Sequence, residues 1–149
     1  MRFSNLAAAG LLLLASCDVR TTDPKVEVEK AWVQLPAVPG RPGAGYFTLM
    51  SNNDPTKLVS VTSPRAERIE LHQTMLENGV ARMRPAQDLV FPDALRMVFE
   101  PGGRHAMLFG VDPALKPGDK IPLTFRFEPA SPVTIEAEVR AFGTDHDGH

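Results

Sequence analysis

Cysteine is nearly absent from this 149-residue chain, which has only Cys17, and Trp32 and Tyr46 are likewise single. A lone cysteine allows no intramolecular disulfide and puts no thiolate inside the fold. That excludes a blue-copper centre, a zinc-thiolate site and a cysteine nucleophile. Blocks of one charge are also lacking: 16 Lys and Arg stand against 18 Asp and Glu, for a net charge of −2. Nucleic-acid binding needs a clustered positive surface that displaces phosphate counterions, so it is excluded as well. Long proline-free stretches are missing too. The 14 prolines run from Pro24 to Pro132, and the longest free window past the N-terminus is Arg65 to Arg84. Because proline breaks helix interiors, a helical bundle is excluded. What remains, with 11 glycines and 43% hydrophobic residues, is one β-rich domain with a real core.

No apolar run reaches the roughly 20 residues that cross a bilayer. The longest, Leu6 to Leu14, follows the short positive start Met1-Arg-Phe-Ser-Asn5 and precedes Leu14-Ala-Ser-Cys17. That order describes a secretory signal. Leu14-Ala-Ser-Cys17 resembles a bacterial lipobox, in which the cysteine becomes the acylated first residue. The expected organisation is a lipoprotein signal peptide over 1–16, a polar tether over 17–25, a folded domain over 26–142 and a flexible tail over 143–149. Asp18 resembles the signal that retains some lipoproteins on the inner membrane. The expected location is therefore extracytoplasmic, lipid-anchored to the inner membrane.

Short alternating runs between turn residues predict strands. They are Val26 to Val33, Tyr46 to Met50, Leu58 to Val61, Leu95 to Phe99, His105 to Phe109, Ile121 to Phe127 and Val133 to Val139. Many short strands at this spacing predict an all-β Greek-key sandwich or barrel. The stretch Ala66 to Leu76 fits a helical stripe (Ala66, Ile69, Gln73, Leu76) or a strand (Ile69, Leu71), and pattern alone does not decide. Trp32, Met50, Met75 and Met97 read as packing residues.

The chemistry sits on histidine and methionine. His105-Ala-Met107 on a strand projects an imidazole and a thioether to one side, since residues two apart share a face. Between His72 and Met83 lies Glu77-Asn-Gly-Val80, and Asn-Gly is a strong hairpin signal. A two-residue turn pairs Glu77 with Val80, Thr74 with Met83 and His72 with Pro85. His72 and Met83 then become diagonal neighbours roughly 7–8 Å apart. That register also places Arg82 and Arg84 on the face of Ile69 and Leu71, the expected core side, which argues for a longer loop or a bulge. Two imidazoles and two thioethers form a soft, neutral donor set that selects Cu(I) over hard ions.

The order His72, ten residues, Met83, twenty-one residues, His105, one residue, Met107 resembles the His-x10-Met-x21-His-x-Met signature of the periplasmic copper chaperones known as the PCuAC family. Ile69-Glu-Leu-His72, Gly45-Tyr-Phe-Thr-Leu49, Pro101-Gly-Gly-Arg-His-Ala-Met-Leu108 and Leu115-Lys-Pro-Gly-Asp119 add to it, over roughly Ala31 to Val139. The resemblance implies a cupredoxin-like fold and His72, Met83, His105 and Met107 as Cu(I) ligands. It also implies a copper-accepting partner, the CuA centre of cytochrome c oxidase or its assembly factor, and a binding rather than an enzymatic role. In the tail, His146 and His149 with nearby aspartates offer harder donors suited to a Cu(II) site. A metal-free immunoglobulin-like interaction module on the cell envelope is the alternative that the same strand pattern allows.

Overall fold

A computed structural model describes residues 25–51, 56–86, 89–91 and 96–143. The leader with Cys17 and Asp18, and the tail with His146 and His149, lie outside the described residues. Ten strands follow in order: β1 Val26–Gln34, β2 Gly43–Ser51, β3 Lys57–Thr62, β4 Arg68–Glu77, β5 Val80–Pro85, β6 Leu89–Val90, β7 Arg96–Phe99, β8 Arg104–Phe109, β9 Lys120–Glu128 and β10 Val133–Arg140. Hydrogen bonding orders them β5-β4-β8-β2-β1-β10-β9-β3-β6, with β7 also on β2. All pairs are antiparallel except β1 with β10, which are parallel. The non-sequential neighbours of β2, β8 and β10 are the crossovers of a cupredoxin-like β-barrel.

The barrel closes on a core built by period-2 alternation. Ile121, Leu123, Phe125 and Phe127 on β9 are buried, and the residues between them are not. Phe47 is the centre of the core. Its ring stacks on Phe99 at 4.3 Å and meets Phe125 edge-on at 4.8 Å, both favoured arrangements for aromatic quadrupoles. Leu49, Leu108, Val33 and Val139 complete the enclosure with no exposed surface between them.

The ambiguous stretch is settled as a strand, β4. Ile69 and Leu71 pack against the core, while Leu76 of the would-be helical stripe is among the most exposed apolar residues. Trp32 does not join the core. The β1–β2 register slips between Glu29 and Trp32, and Lys30 takes a positive φ of 51°. One extra residue in a bulge reverses the inward and outward parity of everything after it. Val26 and Val28 therefore face in before the bulge and Val33 after it, leaving Trp32 outside, where its ring lies 4.5 Å from Tyr46. The Arg140 guanidinium covers that indole at 4.7 Å.

Of the methionines read as packing residues, Met97 is buried and Met75 is half exposed. Met75 sits on the β4–β5 hairpin, which runs past the edge of the core.

Candidate metal centre

That hairpin turns on Asn78 and Gly79, with φ of 53° and 78°. Two successive positive values define a type I′ turn, whose twist matches the flanking strands. The register is Glu77 with Val80, Thr74 with Met83 and His72 with Pro85. The longer loop or bulge expected from Arg82 and Arg84 does not occur. The premise behind it was a buried hairpin, whereas every residue of β5 is exposed. Both guanidiniums reach water and pair with Glu77, that of Arg82 at 3.3 Å.

On its other edge β4 pairs with β8. His72 stands directly opposite His105, Glu70 opposite Met107 and Leu71 opposite Ala106. Since opposed residues share a face, His72, His105, Met83 and Met107 all project from the outer side of the sheet, away from Leu71 and Ala106. The two imidazoles form the centre, with ring centroids 6.1 Å apart. His105 is buried, the His72 side chain is 13% exposed, Met107 is half-buried and Met83 is 53% exposed. Met107 stands opposite Ala44 on β2.

The methionines lie on opposite corners of this group. Met107 is level with Glu70, and Met83 with Thr74, one strand to either side of β4. Ideal strand spacing puts such positions roughly 16 Å apart at Cα. His72, His105 and Met107 therefore form a compact set, and Met83 stands apart from it on the exposed edge strand.

The protonation of each ring follows from its partners. His72 Nε2 lies 3.1 Å from the Glu70 carboxylate, an acceptor only, so Nε2 carries the proton. His105 Nδ1 lies 3.1 Å from the Gly103 carbonyl and donates to it. That carbonyl also accepts the Thr74 N–H at 3.1 Å, which fixes it to β4. The remaining nitrogens, Nδ1 of His72 and Nε2 of His105, are buried and have no hydrogen-bond partner among the described residues. On neutral rings these two buried nitrogens carry the lone pairs, and with the other nitrogens held they match how metal-ligating histidines are prepared. The His72 ring N–H, with help from Arg68, holds the Glu70 carboxyl below the usual carboxylate range.

Glu70 and Gly103 are the parts of this arrangement that sequence reasoning assigned no role. Glu70 lies two residues from His72 and so shares its face of the strand, but that spacing does not by itself show the hydrogen bond between them. Among the described residues no group of three or more His, Cys, Asp or Glu is placed to hold a metal. A cleft of about 240 Å³ between residues 35–41 and 110–115 contains none of the four. The two imidazoles are themselves largely covered, and of the four residues only Met83 is exposed.

This outer-face geometry sits on a fold with known relatives. The family model for LpqE-like lipoproteins matches residues 26–139, and the chain belongs to that family. A relative from Leifsonia xyli subsp. xyli, named as the lipoprotein Lxx21020, is 30% identical over 125 residues, covering 83% of this chain and 75% of its own. Among solved structures, the copper-bound PCuAC domain from PmoF2 superposes with a TM-score of 0.65 at 24% identity, covering 78% of this chain and 93% of that one. The solution structure of CuI-DR1885 from Deinococcus radiodurans matches with a TM-score of 0.59 at 28% identity, over 76% and 78% of the two chains.

Proposed function

We propose that this protein is an extracytoplasmic copper chaperone. It holds Cu(I) with His72, His105 and Met107, closes the site with Met83, and passes the ion to a recipient protein. The observation that carries this reading is the pair of buried ring nitrogens, His72 Nδ1 and His105 Nε2, which have no hydrogen-bond partner among the described residues and share one face with a thioether. The copper named in the titles of the similar structures supports it. Neutral imidazole and thioether donors suit a soft monovalent ion and leave its charge uncompensated, which favours transfer over permanent burial. Delivery is ligand exchange: an incoming thiolate replaces a thioether and then the imidazoles, with no change of oxidation state. The role is binding and transfer, not catalysis.

The lipobox at Cys17 and the lipoprotein names of the family support a chain anchored by acylated Cys17 after removal of 1–16, with 17–25 as tether and 26–142 as the copper domain. Asp18 directs the anchored protein to the inner membrane. The recipient is the CuA centre of cytochrome c oxidase or its assembly factor.

The test is competition for Cu(I) against a chromogenic chelator. One tightly held Cu(I) per chain is expected, and it is lost when His105→Ala is combined with Met107→Ala. Equal affinity in that variant and the wild type rejects the site. Absence of stoichiometric copper in the wild type leaves the metal-free interaction module.

A further inference from the structure

We infer that Glu70 is the positioning residue of the metal centre, fixing His72 so that Nδ1, and not the more commonly exposed Nε2, points at the metal. This deepens the Cu(I) reading above and rests on it.

The brace has three links. The Glu70 carboxylate accepts the His72 Nε2 proton at 3.1 Å through one oxygen and the Arg68 Nε proton at 2.7 Å through the other. The Arg68 guanidinium lies over the Phe109 ring at 4.2 Å from its centroid, and Phe109 is paired with Arg68 across the β4–β8 ladder. Phe109, Arg68, Glu70 and His72 thus form one line along the outer face, with each group held by the next. A carboxylate shared between an arginine and an imidazole has no freedom to rotate away without losing two charge-assisted hydrogen bonds.

His105 is fixed differently, by a main-chain carbonyl that β4 itself holds through Thr74. The two histidines therefore carry opposite tautomers and offer opposite nitrogens to one ion. Across a strand pair, two rings that both presented Nε2 would extend alongside each other. One presenting Nδ1 and the other Nε2 sets its donors at different heights above the sheet. The side-chain brace is replaceable by mutation and the main-chain one is not, so Glu70 is where the geometry is adjustable.

The experiment is long-range ¹H–¹⁵N spectroscopy of the histidine rings in the metal-free protein, in mildly alkaline buffer where imidazole is neutral. Cu(I) competition on the same samples accompanies it. The wild type is expected to show His72 protonated on Nε2 and His105 on Nδ1. Glu70→Ala is expected to give His72 mixed tautomers, leave His105 unchanged and weaken Cu(I) binding roughly 10- to 100-fold, the usual cost of losing such a support. Arg68→Ala keeps the acceptor and is expected to weaken binding less.

His72 protonated on Nδ1 in the wild type overturns the inference. So does a Glu70→Ala protein with an unchanged His72 tautomer, whatever its affinity. A wild type that binds no Cu(I) refutes the chaperone reading alone, since the ring spectra still decide whether Glu70 orders His72.

Discussion

His72 and His105 stand directly opposite each other on adjacent antiparallel strands, with ring centroids 6.1 Å apart, although 32 residues separate them in the chain. Their outer neighbours are unequal. Met107 shares a strand with the buried His105, whereas Met83 is on an exposed edge strand.

That inequality predicts unequal losses. Met107→Ala should weaken Cu(I) binding more than tenfold, beyond the lower limit set by loss of a supporting group, and Met83→Ala should weaken it less. Chelator competition on the two variants gives the ratio directly. Adding Cu(I) should shift the amide resonances of residues 74–83 more than those of β9 and β10, because the hairpin must curl to bring Met83 in. Equal shifts in both regions would speak against the curl.

Core and site should separate cleanly. Phe47 is fully buried between Phe99 and Phe125, so Phe47→Ala should cost about 3–5 kcal/mol. Urea denaturation should show the lower midpoint, while the folded fraction keeps wild-type Cu(I) affinity. A midpoint unchanged from wild type would remove Phe47 from its assigned place at the core's centre.

Lipidation makes a prediction about fractionation. The full chain expressed in a Gram-negative host should partition with the inner membrane, and its mature N-terminal peptide should carry the mass of an acylated cysteine. Cys17→Ser should abolish both. An unmodified N-terminal peptide containing Met1 would exclude the signal reading.

The tail prediction is one of separability. Deleting residues 143–149 removes His146 and His149 with their flanking aspartates. The Cu(II) electron paramagnetic resonance signal should disappear, and Cu(I) competition should match the full chain. Retention of the Cu(II) signal would move the site elsewhere.

Much of this arrangement was legible in the chain. The alternation at Ile121 to Phe127 and Val133 to Val139 is strict because one face of each strand is buried. The Asn78-Gly79 dipeptide fixed the β4–β5 register, since both residues tolerate positive φ. Three features were not legible, each for a physical reason. Trp32 reads as core because a bulge is a parity change that apolar patterning does not reveal. Arg82 and Arg84 argue against a tight hairpin only where the hairpin is assumed to be buried, and burial depends on how far the barrel extends. Glu70 received no role because a hydrogen bond between residues two apart depends on rotamers, which spacing does not encode.

The exposed outer ribbon β5 has one more consequence. Three of the proposed donors are rooted in strands that the core holds fast, and the fourth swings from a free margin. Under the proposed function, loading and emptying would then ask nothing of the barrel, only a short stroke of one arm. A recipient would come from the side where that arm opens, so the direction of hand-over would be dictated by which strand was left outermost.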